Sequence, residues 1–528
     1  MHGGVARTRA ALALIAVIAA AAASISGGSP ADPRTPPALP GRPPPFMTAA
    51  VLGDGGLTAG VDAYGDIVDL RAGSAGRPLI DNPVEAQVAG SVPGRTGIVP
   101  LASVRGGPAL PLWQADAVRQ RYLPGTNVLR TVARFGAARV AIECAARGGE
   151  LGCASGSAPG GPPVEIAFRR DLLGGGSLVH LDDARAPLIV TAATAAGRRW
   201  LAAARPLEAG APAWVRRLYS RSLLVIRALA DRSSGAVAAG ARDGWAYVWP
   251  RDASAVAIAL ASAGYRAQAR RVARFLLGLD LDAAARYDGA GDPVEGRAAQ
   301  GDAAGWTAAA AAAAGIPADV APLPWRNRPD YQEKSSGTYL ANALATAGGP
   351  KSQVGADESA HRPVFGGFVT TRGLARTVGD SPSGLDSAAA WAVRPFARPE
   401  LFAAARRTLL RLLVEGGRFG IVPSEDWREA DPWTAPTAWS AWSLAALAAG
   451  GRGAAMAAND RRAALWLLHD LRRAATPAGL LPERVDARTG VPRSTTPLAW
   501  THAFAVLALR QLWPGRAAGH GHAYPGAR

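Results

Sequence analysis

Lysine is nearly missing from this chain: Lys334 and Lys351 are its only two, so that 56 of the 58 basic residues are Arg. A net charge of +17 would point to nucleic acid or an anionic membrane if it were gathered on one face. The arginines are instead scattered, apart from short pairs such as Arg461-Arg462, and no nucleic-acid partner is expected. Cysteine is equally sparse. Cys144 and Cys153, nine residues apart, lack the spacing of a zinc site; in an exported chain they either close a small disulfide loop or stay as two reduced thiols. None of the seven His is paired with another at ligand spacing in the folded region, so no metal is expected. The Gly-rich phosphate loop, the G-x-G-x-x-G dinucleotide fingerprint, the G-x-S-x-G elbow and the H-E-x-x-H helix are all missing, and with them the simplest support for nucleotide, serine-hydrolase and zincin chemistry. No cofactor is expected. Glutamate occurs only 13 times, which narrows any search for catalytic carboxylates.

What is present changes character along the chain. Arg7 and Arg9 precede an apolar stretch from Ala10 to Ile25, and Ser26 to Gly28 are small. Residues 1–28 thus read as a secretory signal, with an uncleaved membrane anchor as the rival, although about 16 mostly Ala residues fall short of the ~18–20 a span needs. Residues 29–45 (SPADPRTPPALPGRPPP) form a stiff Pro-rich linker. From 46 to 205, short β-branched runs such as DIVDL, NVLRTVARF, RVAIECA, VEIAF and, at 187–193, PLIVTAA alternate with Gly/Pro/Asp turns, predicting an antiparallel β-sandwich. From 206 to 515 the period becomes helical in ten segments, among them 252–264, 305–315, 384–396, 436–450 and 496–513, predicting an all-α domain of consecutive hairpins. Residues 516–528 read as a disordered tail.

Of the 15 Trp, 13 lie at or after Trp214; an indole serves a helical core or stacks on a sugar face. The strongest local signal is DGWAYVWPRDASAVAIALASAGY. There Trp249, Arg251 and Asp252 arrive together at a helix start, where Asp252 either caps the helix and pairs with Arg251, or the two grip hydroxyls while Trp245 or Trp249 offers a stacking face. Glu333 in RPDYQEKSSGTY and Glu483 in GLLPERVDARTG sit in loops just before helices. Each is either a charge at a helix N-terminus or half of the carboxyl pair that a glycosidase needs, one protonated and one ionised.

These segments, with QGDAAGWTAA (300–309), SGLDSAAAW (383–391) and PSEDWREADPWTAPTAW (423–439), resemble in order the motifs of glycoside hydrolase family 15, the glucoamylase, glucodextranase and trehalase family. The resemblance runs over about residues 46–515. It implies an (α/α)6 toroid barrel behind the β-sandwich, hydrolysing a terminal α-glucosidic bond with inversion, with Glu333 as general acid, Glu483 as general base, and Trp245, Trp249, Arg251, Asp252 and Trp306 as substrate contacts. The expected partner is an α-glucan or α-glucoside, acted on outside the cell. An α,α-trehalase and a non-catalytic carbohydrate-binding protein on a degenerate barrel are the alternatives. Two departures stand beside the match. Gln332 replaces the Trp that often precedes the acid, with Lys334 following, and residues 348–382 are Gly-rich where members place a further hairpin, so that the barrel is either trimmed or has two helices hidden there.

Overall fold

The computed structural model describes residues 48–80, 97–157, 161–242, 244–333, 335–348, 363–378, 383–451 and 453–515. The expected signal, linker and tail lie outside them, as do Lys334 and most of the Gly-rich stretch. Along β7 (Leu129–Phe135) burial alternates with the two-residue period of a strand that has one face inward: Leu129, Thr131 and Ala133 are buried, while Arg130, Val132 and Arg134 are not. β7 belongs to a sheet ordered β11-β9-β8-β7-β6, made of β6 (Ala117–Tyr122), β8 (Ala138–Arg147), β9 (Glu150–Ser157) and β11 (Val179–Leu181). It is antiparallel except where β11 runs parallel to β9. Cys144 and Cys153 face each other across β8 and β9 and are disulfide-bonded, with Cα atoms 4.1 Å apart.

The second sheet is ordered β1-β2-β3-β4-β10, from β1 (Ala50–Gly53), β2 (Leu57–Val61), β3 (Ile67–Ala72), β4 (Ile98–Val104) and β10 (Val164–Arg170), with β5 (Leu110–Pro111) added to β4. β1 and β2 are buried along their whole length because both faces are covered, by β8 on one side and a helix on the other. That helix approaches so closely that a Cβ at Gly53 would stand 3.1 Å from the Cβ of Ala228.

The run at 187–193, expected as a strand, lies instead in helix α1 (Ala186–Ala202). Its β-branched Ile189 and Val190 are the buried face of that helix, laid on β8 and β9, and the Ala-rich stretch that follows supplies helix propensity. Here the helix period prevails over a local β preference.

After α1 the helices fall into two kinds. α3 (Pro250–Ser262), α8 (Thr434–Ala449) and α10 (Ala499–Leu512) are buried almost all round, as befits helices enclosed by others. In α4 (Arg266–Leu277) only Ala269, Val272, Ala273 and Leu276 are buried; this is the single stripe of a helix with one face to water. α2 (Ala213–Leu229), α7 (Phe402–Glu415) and α9 (Ala454–Ala474) likewise carry exposed faces. Contacts run from α3 to α5 (Ala303–Ala314), α6 (Leu340–Gly348), a 3₁₀ segment at Ser387–Ala392, α8, α10 and back to α3. The ring of inner elements therefore closes on itself.

The segment expected as a helix at 384–396 shortens to that 3₁₀ turn. Asp386 caps it by accepting from the Ala388 amide at 2.8 Å, and Pro395, with no N–H to donate, prevents its extension. Nine α-helices follow residue 206 among the described residues, one fewer than the ten segments read from the sequence.

Candidate active site

The N-terminal ends of the inner helices converge on a cavity of about 180 Å³. Trp249 is the N-cap of α3, and Arg251 and Asp252 lie in its first turn. Trp433 caps α8, Leu498 caps α10, and Trp500 is the second residue of α10. Glu333 comes from the loop before α6 and Glu483 from the loop before α10. Helix N-termini carry partial positive charge, which suits a site built of carboxylates.

Each loop is held by its own bonds. The Glu483 amide donates to Thr495 O at 2.9 Å, and the Glu483 carbonyl accepts from the Thr434 amide at 2.9 Å, so the N-terminus of α8 fixes the loop. Glu333 has φ +56°, a left-handed conformation that costs a non-glycine residue roughly 1–2 kcal/mol. Asp330 holds that turn. Its carboxylate takes two bonds from the Arg376 guanidinium at 2.9 and 3.0 Å and one from the Gln332 amide at 3.0 Å, and its carbonyl accepts from the Glu333 amide at 3.0 Å.

The Glu333 carboxylate has donors on both oxygens. Oε1 accepts from Trp249 Nε1 at 2.6 Å and from Gln300 Nε2 at 2.8 Å, while Oε2 is ion-paired with Arg297. Gln300 also accepts from Arg251 through its Oε1, so one amide joins the two halves of the site. Arg251 donates to Asp302 at 2.9 Å, lies 3.6 Å from Asp252, and has its guanidinium 4.7 Å from the centre of the Trp500 ring. Opposite, Ser494 donates to Glu483 Oε2.

Burial pushes the Asp252 carboxyl up to about 7; Arg251 opposes this, and the negative charges of Glu483 and Asp302 add to it. Because its folded value lies above its unfolded one, Asp252 contributes stability that is complete below about pH 4 and lost as the pH rises through about 7. Asp252→Asn should therefore gain on the parent protein by roughly 2–4 kcal/mol between pH 4 and 8. Urea unfolding of both proteins across that range measures it, and parallel curves would show that Asp252 ionises in the folded state as it does in the unfolded one.

Of the residues singled out in the sequence, Trp245, Trp249, Arg251, Asp252, Glu333 and Glu483 all line this cavity. Trp306 does not reach it. It is fully buried, edge-on to Trp391, Phe396 and Phe504 at 5.1–5.9 Å, and serves the core. The cavity adds Arg297, Tyr331, Trp433 and Trp500, which sequence reasoning passed over. Trp433 and Trp500 share one signal, an aromatic residue at the N-terminal end of a helix buried almost all round; Arg297 and Tyr331 lie in loops and carry no such signal. Gln332 also lines it, donating to Ser424 Oγ at 2.9 Å. No group of three or more His, Cys, Asp and Glu side chains that could hold a metal occurs among the described residues.

No protein-family model and no curated protein matches the sequence. Solved structures align with part of it. A wild-type glycosidase aligns over 57% of this chain and 99% of its own, at 21% identity and a TM-score of 0.45. The glucoamylase of Saccharomycopsis fibuligera aligns over 57% and 94%, at 15% identity and 0.46. The family 15 glucoamylase of Hypocrea jecorina aligns over 53% and 67%, at 15% identity and 0.38. All three are glycosidases.

Proposed function

We propose that the chain is an exported, inverting α-glycosidase that removes terminal glucose from α-linked glucosides in the manner of a glucoamylase, on an (α/α)6 barrel closed by the ring of inner helices. The observation that carries the reading is the meeting of Glu333 and Glu483, 150 residues apart in sequence, in one cavity walled by Trp245, Trp249, Trp433 and Trp500. Flat indoles and an Arg–Asp pair suit a pyranose ring and its hydroxyls. In the proposed scheme Glu483, aligned by Ser494, takes a proton from the attacking water. Glu333 gives one to the leaving oxygen, and the carbon inverts because water arrives opposite the departing group. The Arg7–Arg9 and Ala10–Ile25 pattern and the Cys144–Cys153 bridge support export, since disulfides persist in oxidising compartments.

One observation favours a second reading, a carbohydrate-binding protein without turnover. Both oxygens of Glu333 are occupied by donors, and an acid must hold a proton of its own. Substrate entry has to displace Arg297 before Glu333 can act. Purified protein assayed on maltooligosaccharides and on trehalose, with the anomer of released glucose followed by NMR, separates the readings. The expected result is β-glucose from maltooligosaccharides and a loss of at least ~100-fold in Glu333→Gln. Glucose from trehalose alone would make the chain a trehalase, and glucan binding with no glucose from either substrate would establish the binding protein.

A further inference from the structure

A second cavity lies away from the candidate active site and shares no residue with it. It is a groove of about 740 Å³ between the end of β6, the start of α2 and the segment after α9, within the ~300–1,000 Å³ of small-molecule sites. Its floor is apolar, with Leu123, Leu201, Leu218 and Leu224, and the half-buried Trp214 lines one wall. Among the described residues five arginines line it, Arg121, Arg216, Arg217, Arg221 and Arg472, and no Asp or Glu does.

Arg221 is the informative one. Its guanidinium stands 3.6 Å from the centre of the Tyr122 ring and donates to Asn127 Oδ1 and Thr126 O, both at 2.9 Å. All of these partners are neutral, and burial pushes its pKa down to about 10. Arg221 stays half-buried and open to the groove, and among the described residues no Asp or Glu pairs with it. Arg216 bonds only to backbone carbonyls, and Arg121, Arg217 and Arg472 make no ion pair among the described residues. The charge is therefore local to the groove. Elsewhere many of the chain's arginines are matched, as Arg376 is by Asp330 and Arg484 by Asp431.

We propose that this groove binds an acidic saccharide, its sugar rings on the apolar floor beside Trp214 and its carboxylates on the arginine forks, a geometry that guanidinium groups meet with paired hydrogen bonds. The proposal does not rest on the catalytic reading. An anchoring site of this kind would hold the protein on an anionic glycan while the other cavity takes its own ligand.

Calorimetric titration of the full chain with trigalacturonate, maltotriose and inorganic phosphate tests it. The expected result is saturable binding of trigalacturonate that weakens with salt, no binding of maltotriose, and at least a tenfold loss of affinity in Arg121→Glu/Arg217→Glu. A control, Arg139→Glu/Arg407→Glu, changes the net charge equally at exposed positions outside the groove and should bind like the parent. Glucose release, where present, should be the same in both double variants. No trigalacturonate binding, an equal loss in the control, or phosphate bound as tightly as the saccharide would each overturn the proposal.

Discussion

Glu483→Gln should lower kcat on maltooligosaccharides by about 10²–10⁴-fold, the contribution of a positioned general base, while leaving sugar binding within a few-fold of the parent. The amide keeps the shape of the carboxylate, can still meet Ser494, and leaves the Trp249–Gln300–Glu333 contacts untouched. What it removes is the ability to take a proton from water. Steady-state kinetics alongside calorimetric binding to the same sugar separates the two effects. A variant with most of its turnover intact would place the base elsewhere, and Asp252, which interacts electrostatically with Glu483, would be the next carboxylate to replace.

Arg251→Ala should be the most destabilising single substitution in the site, lowering the unfolding free energy by about 3–5 kcal/mol, the cost of removing one partner of a buried ion pair. The Arg251 and Asp302 side chains are 4% and 0% exposed, and the guanidinium is the only cation within salt-bridge distance of Asp302 or Asp252 among the described residues. Its loss strands two carboxylates and the Gln300 amide oxygen. Replacing the charges together, as Arg251→Met/Asp302→Leu, should recover a large share of the loss, because the penalty comes from the uncompensated carboxylate. Urea denaturation of the two variants measures this. A loss below 1 kcal/mol for Arg251→Ala would mean that water reaches Asp302 in the folded protein.

Much of this site was legible in the sequence, for a physical reason: its charged members are rare. With two lysines and 13 glutamates, a Glu in a loop before a helix stands out, and Glu333 and Glu483 do meet. Trp249, Arg251 and Asp252 were legible because they share one helix start, so sequence proximity implied proximity in space. Trp433 and Trp500 were not, since which helix ends meet depends on closure of the ring, and no local pattern encodes that; Arg297 comes from a loop, where nothing local marks it. Trp306 misled for the opposite reason. It lies within a motif-bearing segment, yet its ring turns into the core against Trp391 and Phe504, and an indole's chemistry does not say which way it faces. In the fold, periodicity gave the sheets and the amphipathic helices. It failed at 187–193 and 384–396, where a β-branched run and an Ala-rich run were each decided by what lies beside them.

The closing of the ring through α10 also sets an order of events during synthesis. α10 packs against α3, which precedes it by about 250 residues, and against α2 and α8. It also brings Leu498 and Trp500 to the cavity. Until residues 499–512 have left the ribosome, the flank of α3 that packs on α10 has no permanent cover, an interval of about 250 residues of synthesis. The lining of the cavity is thus complete only once Trp500 has been made. A chain stopped between Arg484 and Pro497 keeps Glu333 and Glu483 in its sequence and lacks Leu498 and Trp500, which line the cavity with them.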